Sequence, residues 1–222
     1  MSKLTTEIEK LCLKNSDRKI AEPMAKYMRN KFEFLGLPRP KRAEILKPFH
    51  KEIRSLKGDE IISTADYFWK KEEREFQYIA LNILEMTKKN WEEKFFENFS
   101  YLITDNSWWD TVDMIASHLI GGVYKLNPRK FRKEIIKFSK AENIWQVRTS
   151  IIFQLNYGKE TDTELLFEVI RWNKSKEEFF IQKGIGWALR QLTYTDAGLV
   201  KKFVKENELS KLATREALRR LK

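Results

Sequence analysis

The sequence contains very little cysteine, histidine, glycine or proline. Its 222 residues include one cysteine, two histidines, eight glycines and five prolines. A single cysteine, Cys12, excludes an intrachain disulfide and favours a reducing compartment. Together with His50 and His118, it cannot supply the ligands of an ordinary zinc site. We therefore expect no metal, and the sequence implies no other cofactor.

Long apolar runs and nucleotide-binding motifs are also missing. No stretch approaches the ~18 consecutive apolar residues of a membrane helix. The chain opens with an amphipathic, charged segment, MSKLTTEIEKLCLKN, which is unlike a signal peptide. There is no Walker loop, no glycine-rich dinucleotide motif and no HExxH sequence. These absences predict a cytoplasmic protein outside the membrane and argue against nucleotide-dependent and zinc-dependent enzymes.

Positive charge and aromatic rings, by contrast, are abundant. Lys and Arg number 43 against 32 Asp and Glu, which gives a formal net charge of +11, and there are seven tryptophans. An excess of this size favours a polyanionic partner such as nucleic acid or an anionic membrane surface. So many aromatic residues indicate a packed globular fold rather than a disordered basic tail.

Helical periodicity extends through nearly the whole chain and predicts an all-α protein. Several helix starts are marked by capping residues, namely Ser107, Asn127 and Asp162 or Thr163. The predicted helices lie at 3–14, 17–32, 40–55, 59–70, 73–89, 91–104, 108–124, 128–140, 143–157, 161–173, 177–193, 197–206 and 209–221.

Similar segments recur at a spacing in the thirties. Asp113 and Arg148 are 35 residues apart, and WALRQL at 187–192 returns as EALRRL at 216–221. A loose repeat of this length, with one helical hairpin per unit, is typical of an α-solenoid. We expect one domain, 1–222, built as a curved solenoid of about six antiparallel helical pairs.

The stretch at 106–124, NSWWDTVDMIASHLIGGVY, combines a core pattern with a second, unusual face. Its core pattern consists of apolar residues at helical spacing: Trp108, Val112, Ile115 and Leu119. Trp109 and Asp113 are also four residues apart, and they lie about 100° around the helix from the core residues. Taken alone, this pair is better explained as a partly buried tryptophan beside a solvated aspartate than as a functional site.

Two later helices offer partners for this face. Arg148 lies just off the apolar stripe of its helix. Trp187 shares a helix face with Lys183 and Arg190. We expect these two cations to contact DNA, although their stems could simply pack on the indole. If successive second helices of the repeat stack side by side, a concave basic groove would collect two indoles, a carboxylate and a guanidinium: Trp109, Trp187, Asp113 and Arg148.

A basic motif near the N-terminus, GLPRPKR at 36–42, places Arg39, Lys41 and Arg42 at the start of a helix. Cations at that position oppose the helix dipole, so a bound anion would relieve both. We favour docking of a DNA phosphate over a solvated basic turn. Tyr27 is open to two interpretations, a half-buried side chain or a DNA contact.

Four stretches resemble the AlkD family of DNA alkylation repair proteins: KYMRNKFEFLGLPRPKR at 26–42, NSWWDTVD at 106–113, IWQVRTSI at 144–151 and KGIGWALRQ at 183–191. The resemblance implies HEAT-like helical repeats and a DNA glycosylase that excises positively charged N3- and N7-alkylated purines from duplex DNA in base excision repair. The positions that it assigns to the active site and its border are Trp109, Asp113, Trp187, Arg148 and Tyr27. The chain departs from the family at residues 191–192, where Gln-Leu replaces a frequent Glu-Tyr.

The residue types suit that reaction. Alkylation at N3 or N7 makes the purine cationic, so the base leaves neutral and needs no general acid, unlike the sugar in glycoside hydrolysis. Asp113 can stabilise charge developing on the deoxyribose and position a water. Arg148 would hold a phosphate, and the two indoles would attract the cationic nucleotide. No lysine stands out as a nucleophile, so a monofunctional enzyme without strand cleavage is expected.

Two other classes of protein stay open. A non-catalytic helical solenoid that recognises unusual DNA structure would not require the carboxylate of Asp113. A protein-interaction scaffold would bind its partner without the steep salt dependence of phosphate contacts. Because nothing suggests a self-complementary apolar surface, we expect a monomer. It would reside in the cytoplasm, associated with the nucleoid, and bind duplex DNA that carries alkylated purines.

Overall fold

The computed structural model describes residues 2–221, and the chain divides into two compact units, Met1–Glu92 and Glu93–Lys222. Within residues 2–221 the backbone forms no β-strand beyond an isolated bridge between Glu33 and Glu73. The all-α prediction is confirmed. The single domain and its curvature stay predictions. None of the helices in the described part of the chain combines the length and the apolar character that a membrane span needs.

The first unit is built from helices that pack around aromatic side chains. Helices α5 (Asp59–Trp69) and α6 (Arg74–Met86) form a hairpin in which the rings of Phe68 and Phe76 stack with their centroids 6.0 Å apart. The α-helices of this unit are α1 (Lys3–Lys14), α2 (Arg18–Tyr27), α3 (Arg39–Leu46), α4 (His50–Ser55), α5 (Asp59–Trp69) and α6 (Arg74–Met86).

Two helices of the first unit differ from their predicted extents. Helix α2 ends at Tyr27, because Arg29 and Asn30 adopt left-handed backbone angles with φ of 58° and 52°. The helix predicted at 40–55 is interrupted by a 3-10 turn that contains Pro48, a residue without a backbone N–H to continue the α-helical pattern.

The second unit carries the central stretch of the sequence. Helix α11 (Ile144–Ile152) packs against α8 (Trp109–Met114). Helix α13 (Phe179–Leu192) packs against α11, and α15 (Lys211–Leu218) packs against α13. Its helices are α7 (Phe95–Thr104), α8 (Trp109–Met114), a π-helical segment (Ile115–Ile120), α9 (Gly121–Tyr124), α10 (Pro128–Ser139), α11 (Ile144–Ile152), α12 (Thr163–Asn173), α13 (Phe179–Leu192), α14 (Ala197–Glu206) and α15 (Lys211–Leu218). The serial packing of α8, α11, α13 and α15 brings the predicted site residues of this unit onto adjacent helices.

Capping residues fix several helix starts of the second unit. The side chains of Asn127 and Asp162 each accept a hydrogen bond from the backbone amide three residues later, as predicted. Such a cap stabilises a helix by about 1 kcal/mol. The prediction for Ser107 is wrong, because its hydroxyl donates to the carbonyl of Ile103 in the preceding helix at 2.7 Å.

The central stretch buries most of its predicted core face. Val112, Ile115 and Leu119 are fully buried, as expected. Trp108 is only partly buried, and its ring contacts those of Trp145 and Phe180. Trp109 and Asp113 are also partly buried.

Candidate active site

Asp113 and Arg148 form a two-point ion pair between α8 and α11. Arg148 Nε donates to Oδ1 of Asp113 at 2.7 Å, and Nη2 donates to Oδ2 at 3.0 Å. The two side chains are 19% and 5% exposed, respectively. Paired, charge-assisted hydrogen bonds of this kind fix the orientation of a carboxylate as well as its charge. The carboxylate of Asp113 is therefore held in one position at the end of α8.

A third helix completes the environment of Arg148. Its Nη1 donates to the carbonyl oxygen of Phe180 in the first turn of α13. One turn later, Gly184 leaves the space that the guanidinium occupies, since a Cβ atom there would lie 3.2 Å from Nη1. Each nitrogen of this guanidinium thus donates within the protein. This placement differs from the expected phosphate contact and makes Arg148 the residue that positions Asp113.

Burial dominates the electrostatics of the carboxylate. Loss of water raises the pKa of Asp113 above its ordinary value, the hydrogen bonds and charge of Arg148 oppose that rise, and Asp110 adds to it. Arg148 thus offsets part of the cost of keeping a charge in a poorly hydrated site. Nowhere in the described part of the chain do three or more His, Cys, Asp or Glu side chains cluster as a metal site would need.

The helix that carries Asp113 widens into a π-helix directly after it. Asn156 donates to the carbonyl of Ser117 at 3.1 Å, and the hydroxyl of Tyr157 donates to the carbonyl of Gly121 at 2.7 Å. Side chains that follow α11 therefore support the widened turns. Such π segments are rare and occur often at functional sites. The sequence gives no signal for this feature, because its hydrophobic spacing is the same as that of an α-helix.

A cluster of aromatic rings adjoins Arg148 through Phe180, whose ring centroid lies 6.0 Å from the guanidinium. Phe180 contacts Trp108 and Trp145, with ring centroids 5.3 and 5.0 Å away. The predicted site indoles, Trp109 and Trp187, are partly exposed, on the helices that also carry Asp113 and Gly184. The backbone and ring of Phe180 both adjoin Arg148, a role that no pattern in the sequence indicates.

The two cations beside Trp187 have a protein partner. Lys183 and Arg190, predicted as DNA contacts, both pair with Glu216 of α15 at 3.0 and 2.9 Å. Glu216 is itself buried. The sequence placed the cations on one face correctly, but it gave no indication of the carboxylate between them.

In the first unit, three of the predicted DNA contacts reach solvent. The side chain of Tyr27 is 71% exposed, so the half-buried alternative is wrong. Arg39 is exposed at the start of α3. Lys41 is partly exposed and pairs with Glu44 on the same helix at 3.2 Å. These side chains provide a basic and aromatic surface within this unit.

Arg42, the fourth predicted contact of the first unit, points into the protein. It is buried, donates to the carbonyl of Leu37 at 2.7 Å and lies over the ring of Tyr78 at 4.4 Å. The prediction that Arg42 meets a DNA phosphate does not fit this burial. A charged residue near a helix start is normally expected to be exposed. Nothing in the sequence indicates that a loop folds over Arg42.

That loop is held by a buried carboxylate. Glu75 is fully buried and accepts hydrogen bonds from the backbone amides of Leu35, Gly36 and Leu37, each at 2.9 Å. These amides already have an anionic partner in the protein. The loop before α3 is therefore a fixed internal structure rather than an empty phosphate-binding turn.

We expect Glu75→Gln to lower the free energy of unfolding by about 3 kcal/mol, because an amide replaces a charged acceptor and turns an NH2 group toward a backbone donor. Urea denaturation measures the change. Glu72→Gln, an exposed site in the same unit, is the matched control and should change stability by less than about 0.5 kcal/mol. Equal effects of the two substitutions would contradict the assigned role of Glu75.

Comparison with known proteins identifies the family. A family model described as DNA alkylation repair enzyme matches residues 8–221. The chain belongs to this family. The resemblance noted in the sequence is thereby confirmed, and the family assignment supports a role in DNA alkylation repair.

A solved structure supports the same assignment. The chain is similar to a protein titled "Predicted DNA alkylation repair enzyme from Enterococcus faecalis", with 31% sequence identity and a TM-score of 0.87. The match covers 93% of this chain and 96% of that chain. No curated protein matches the chain.

For this DNA alkylation repair protein, Gly184 provides a test of the ion pair from the α13 side. We expect Gly184→Ala to slow repair of alkylated DNA by about tenfold, because the added Cβ would press on Nη1 of Arg148, a side chain that three hydrogen bonds hold in place. Single-turnover kinetics on methylated duplex DNA measure the change. Gly198→Ala, also in a helix, would meet its nearest atom at an ordinary 3.5 Å and serves as control. Unchanged rates in both variants would show that the guanidinium position is unimportant.

Proposed function

We propose that the chain is a monofunctional DNA glycosylase that hydrolyses the N-glycosidic bond of positively charged N3- and N7-alkylated purines in duplex DNA. The observation that supports this function best is a desolvated carboxylate, Asp113, held rigidly by Arg148 on a helix that also presents Trp109. A protein that only binds DNA has no need of such a carboxylate. We further propose that it acts as a monomer in the cytoplasm, in association with the nucleoid.

The reaction begins with departure of the damaged base. The bond between C1′ and N9 breaks, and its electron pair moves to the purine, whose positive charge is thereby neutralised. Positive charge is left on the deoxyribose. A carboxylate about 4 Å from that charge contributes about 4 kcal/mol at an effective dielectric constant near 20. Asp113 would supply this stabilisation without donating a proton.

Water then completes the hydrolysis. Each carboxylate oxygen of Asp113 accepts one hydrogen bond from Arg148 and keeps a further lone pair for another donor. A water held there attacks C1′, forms the new C–O bond and gives up its proton to the carboxylate or to solvent. The product is an abasic site in an unbroken strand.

The aromatic side chains would hold the nucleotide. Trp109 and Trp187 are partly exposed, and the face of an indole attracts a cation by roughly 0.5–2 kcal/mol. In the first unit, Tyr27, Arg39 and Lys41 would contact the DNA backbone. Arg42 and Arg148 are buried, so their contribution is structural.

Base release measures the proposed activity directly. The wild-type protein is incubated with a duplex that carries one 7-methylguanine, and both the free base and the length of the strand are determined. We expect free 7-methylguanine and an intact strand that breaks only on alkaline treatment. An otherwise identical duplex with uracil, a neutral base, is the control and should stay unchanged.

Two results would contradict the proposal. Absence of base release despite salt-sensitive binding to the duplex would assign the chain to non-catalytic recognition of DNA. Strand cleavage without alkali would indicate an amine nucleophile rather than hydrolysis at Asp113.

A further inference from the structure

A buried carboxylate in the last helix holds the two cations that flank Trp187. Glu216 is 7% exposed. Its Oε1 lies 3.0 Å from Lys183 Nζ, and its Oε2 accepts a hydrogen bond from Arg190 Nη1 at 2.9 Å. These cations lie four residues before and three residues after Trp187, so all three share one face of α13. The charge beside the indole is therefore set by a residue of another helix.

The helix that carries Glu216 packs closely against α13. A Cβ atom at Gly186 would lie 2.4 Å from Cβ of Glu216 and 2.9 Å from the carbonyl oxygen of Ala213. Helices α13 and α15 are thus in direct contact next to Trp187. Ser210 adds a hydrogen bond to Gln182 at 2.6 Å across the same interface.

Of the two cations, Lys183 has the larger effect on the charge state of Glu216. The hydrogen bond from Lys183 lowers the pKa of Glu216, burial opposes that effect, and Arg190 adds to the lowering. The carboxylate is therefore ionised at neutral pH. A DNA phosphate that recruited Lys183 or Arg190 would have to compete with it and would leave a buried carboxylate short of partners, which is unfavourable.

We propose that Glu216 is a specificity-determining residue that withholds the charges of Lys183 and Arg190 from the phosphates of undamaged DNA while keeping them beside Trp187. The inference rests on the proposed function. Non-specific binding to DNA comes almost entirely from contacts between cations and phosphates. Recognition of a cationic alkylated nucleotide comes instead from the indole and carboxylate groups. When phosphate contacts contribute less to the binding affinity, the protein prefers alkylated DNA over undamaged DNA more strongly.

Replacement of Glu216 by glutamine tests this directly, because it keeps the shape of the side chain and removes its charge. Affinity for an undamaged duplex is measured over a range of salt concentrations. We expect binding on the order of tenfold tighter at low salt, with the slope of log K against log salt steeper by about one to two units, roughly 0.9 for each new phosphate contact. Glu177→Gln makes the same change in net charge at an exposed position just before α13, and its slope should match that of the wild type.

The preference for damage is measured in a second experiment. A duplex with 7-methylguanine and an undamaged duplex are compared in the Asp113→Asn background, which keeps the base in place. With Glu216→Gln added, the ratio of the two affinities should fall by several-fold, because binding to undamaged DNA gains more. With Glu177→Gln added instead, the ratio should stay constant.

Several outcomes would overturn the inference. An unchanged salt slope in Glu216→Gln would show that the released cations do not reach phosphates. Weaker binding with a shallower slope would show that the cations bind DNA only while Glu216 holds them. Because undamaged-DNA affinity is independent of base release, a wild-type protein that proved unable to release the base would refute the glycosylase and leave this comparison standing.

If thermal melting shows that Glu216→Gln does not fold, Lys183→Gln and Arg190→Gln provide the test. Cations that are withheld from phosphates can be removed without changing the salt slope for undamaged DNA. A slope shallower by about one unit for either variant would mean that the cation binds a phosphate in the wild type, and the inference would fail.

Discussion

We expect Asp113→Asn to slow release of 7-methylguanine from duplex DNA by about a thousandfold. The amide has the size of the carboxylate but carries no charge to stabilise the positive deoxyribose. The loss of about 4 kcal/mol of electrostatic stabilisation corresponds to roughly three orders of magnitude in rate. Single-turnover release with enzyme in excess measures the chemical step. Affinity for the duplex should change by only a few-fold, since the phosphate contacts are untouched.

Two controls accompany this variant. Asp110→Asn, on the same helix, removes an equal charge and should change the rate by less than a few-fold. Thermal melting shows whether the variant is folded, because the substitution leaves the buried guanidinium of Arg148 with a weaker partner. If the folded Asp113→Asn variant kept the wild-type rate, the carboxylate of Asp113 would have no part in catalysis.

The second large effect is expected for Arg148→Met, which should lower the rate of base release by about a hundredfold near neutral pH. Methionine fills much of the same volume, but it leaves the carboxylate of Asp113 buried without its counter-ion. Burial already raises the pKa of Asp113, and the opposing effect of Arg148 disappears in this variant. The pKa therefore rises further, and a smaller fraction of the carboxylate is ionised at a given pH.

The pH dependence of the rate separates this role from phosphate binding. An ionised carboxylate is required, so the rate falls as pH decreases through the pKa of Asp113. This fall should occur at higher pH in Arg148→Met than in the wild type, and part of the activity should return as the pH is raised. If Arg148 instead bound a phosphate, the pH profile would be unchanged and the salt slope of DNA binding would become shallower by about one unit.

Helix positions could be predicted closely where local signals set them. The predicted bounds of α1 and α14 agree with the structure to the residue, because each has a clear amphipathic pattern and a capping residue at its start. The end of α2 could not be predicted, since the left-handed angles of Arg29 and Asn30 belong to a loop whose path depends on the tertiary fold.

The candidate site was only partly accessible to the same reasoning. Four-residue spacing was enough to place Trp109 and Asp113 on one face. The partner of Asp113 lies 35 residues away on α11, and a spacing of that length suggests adjacent helices without showing which polar atoms meet. For this reason Arg148 and Arg42 were expected to bind phosphates, whereas both are buried and bonded within the protein.

Glu216 illustrates the same limit more sharply. The two cations that flank Trp187 were visible in the sequence, but a carboxylate 26 residues beyond Arg190 gave no sign that it would pair with them. Charged residues near an expected DNA surface are naturally read as phosphate contacts. Burial and pairing, which decide whether a charge is available, are properties of the packed structure.

The measurement that tests the account most directly is a double-mutant cycle on Asp113 and Arg148, with single-turnover release of 7-methylguanine as the readout. If Arg148 acts by positioning the carboxylate, the double variant Asp113→Asn, Arg148→Met should be about as slow as Asp113→Asn alone. If the two losses multiply, to about a hundred-thousandfold, Arg148 makes a separate contact with DNA, and the ion pair does not act as one catalytic unit.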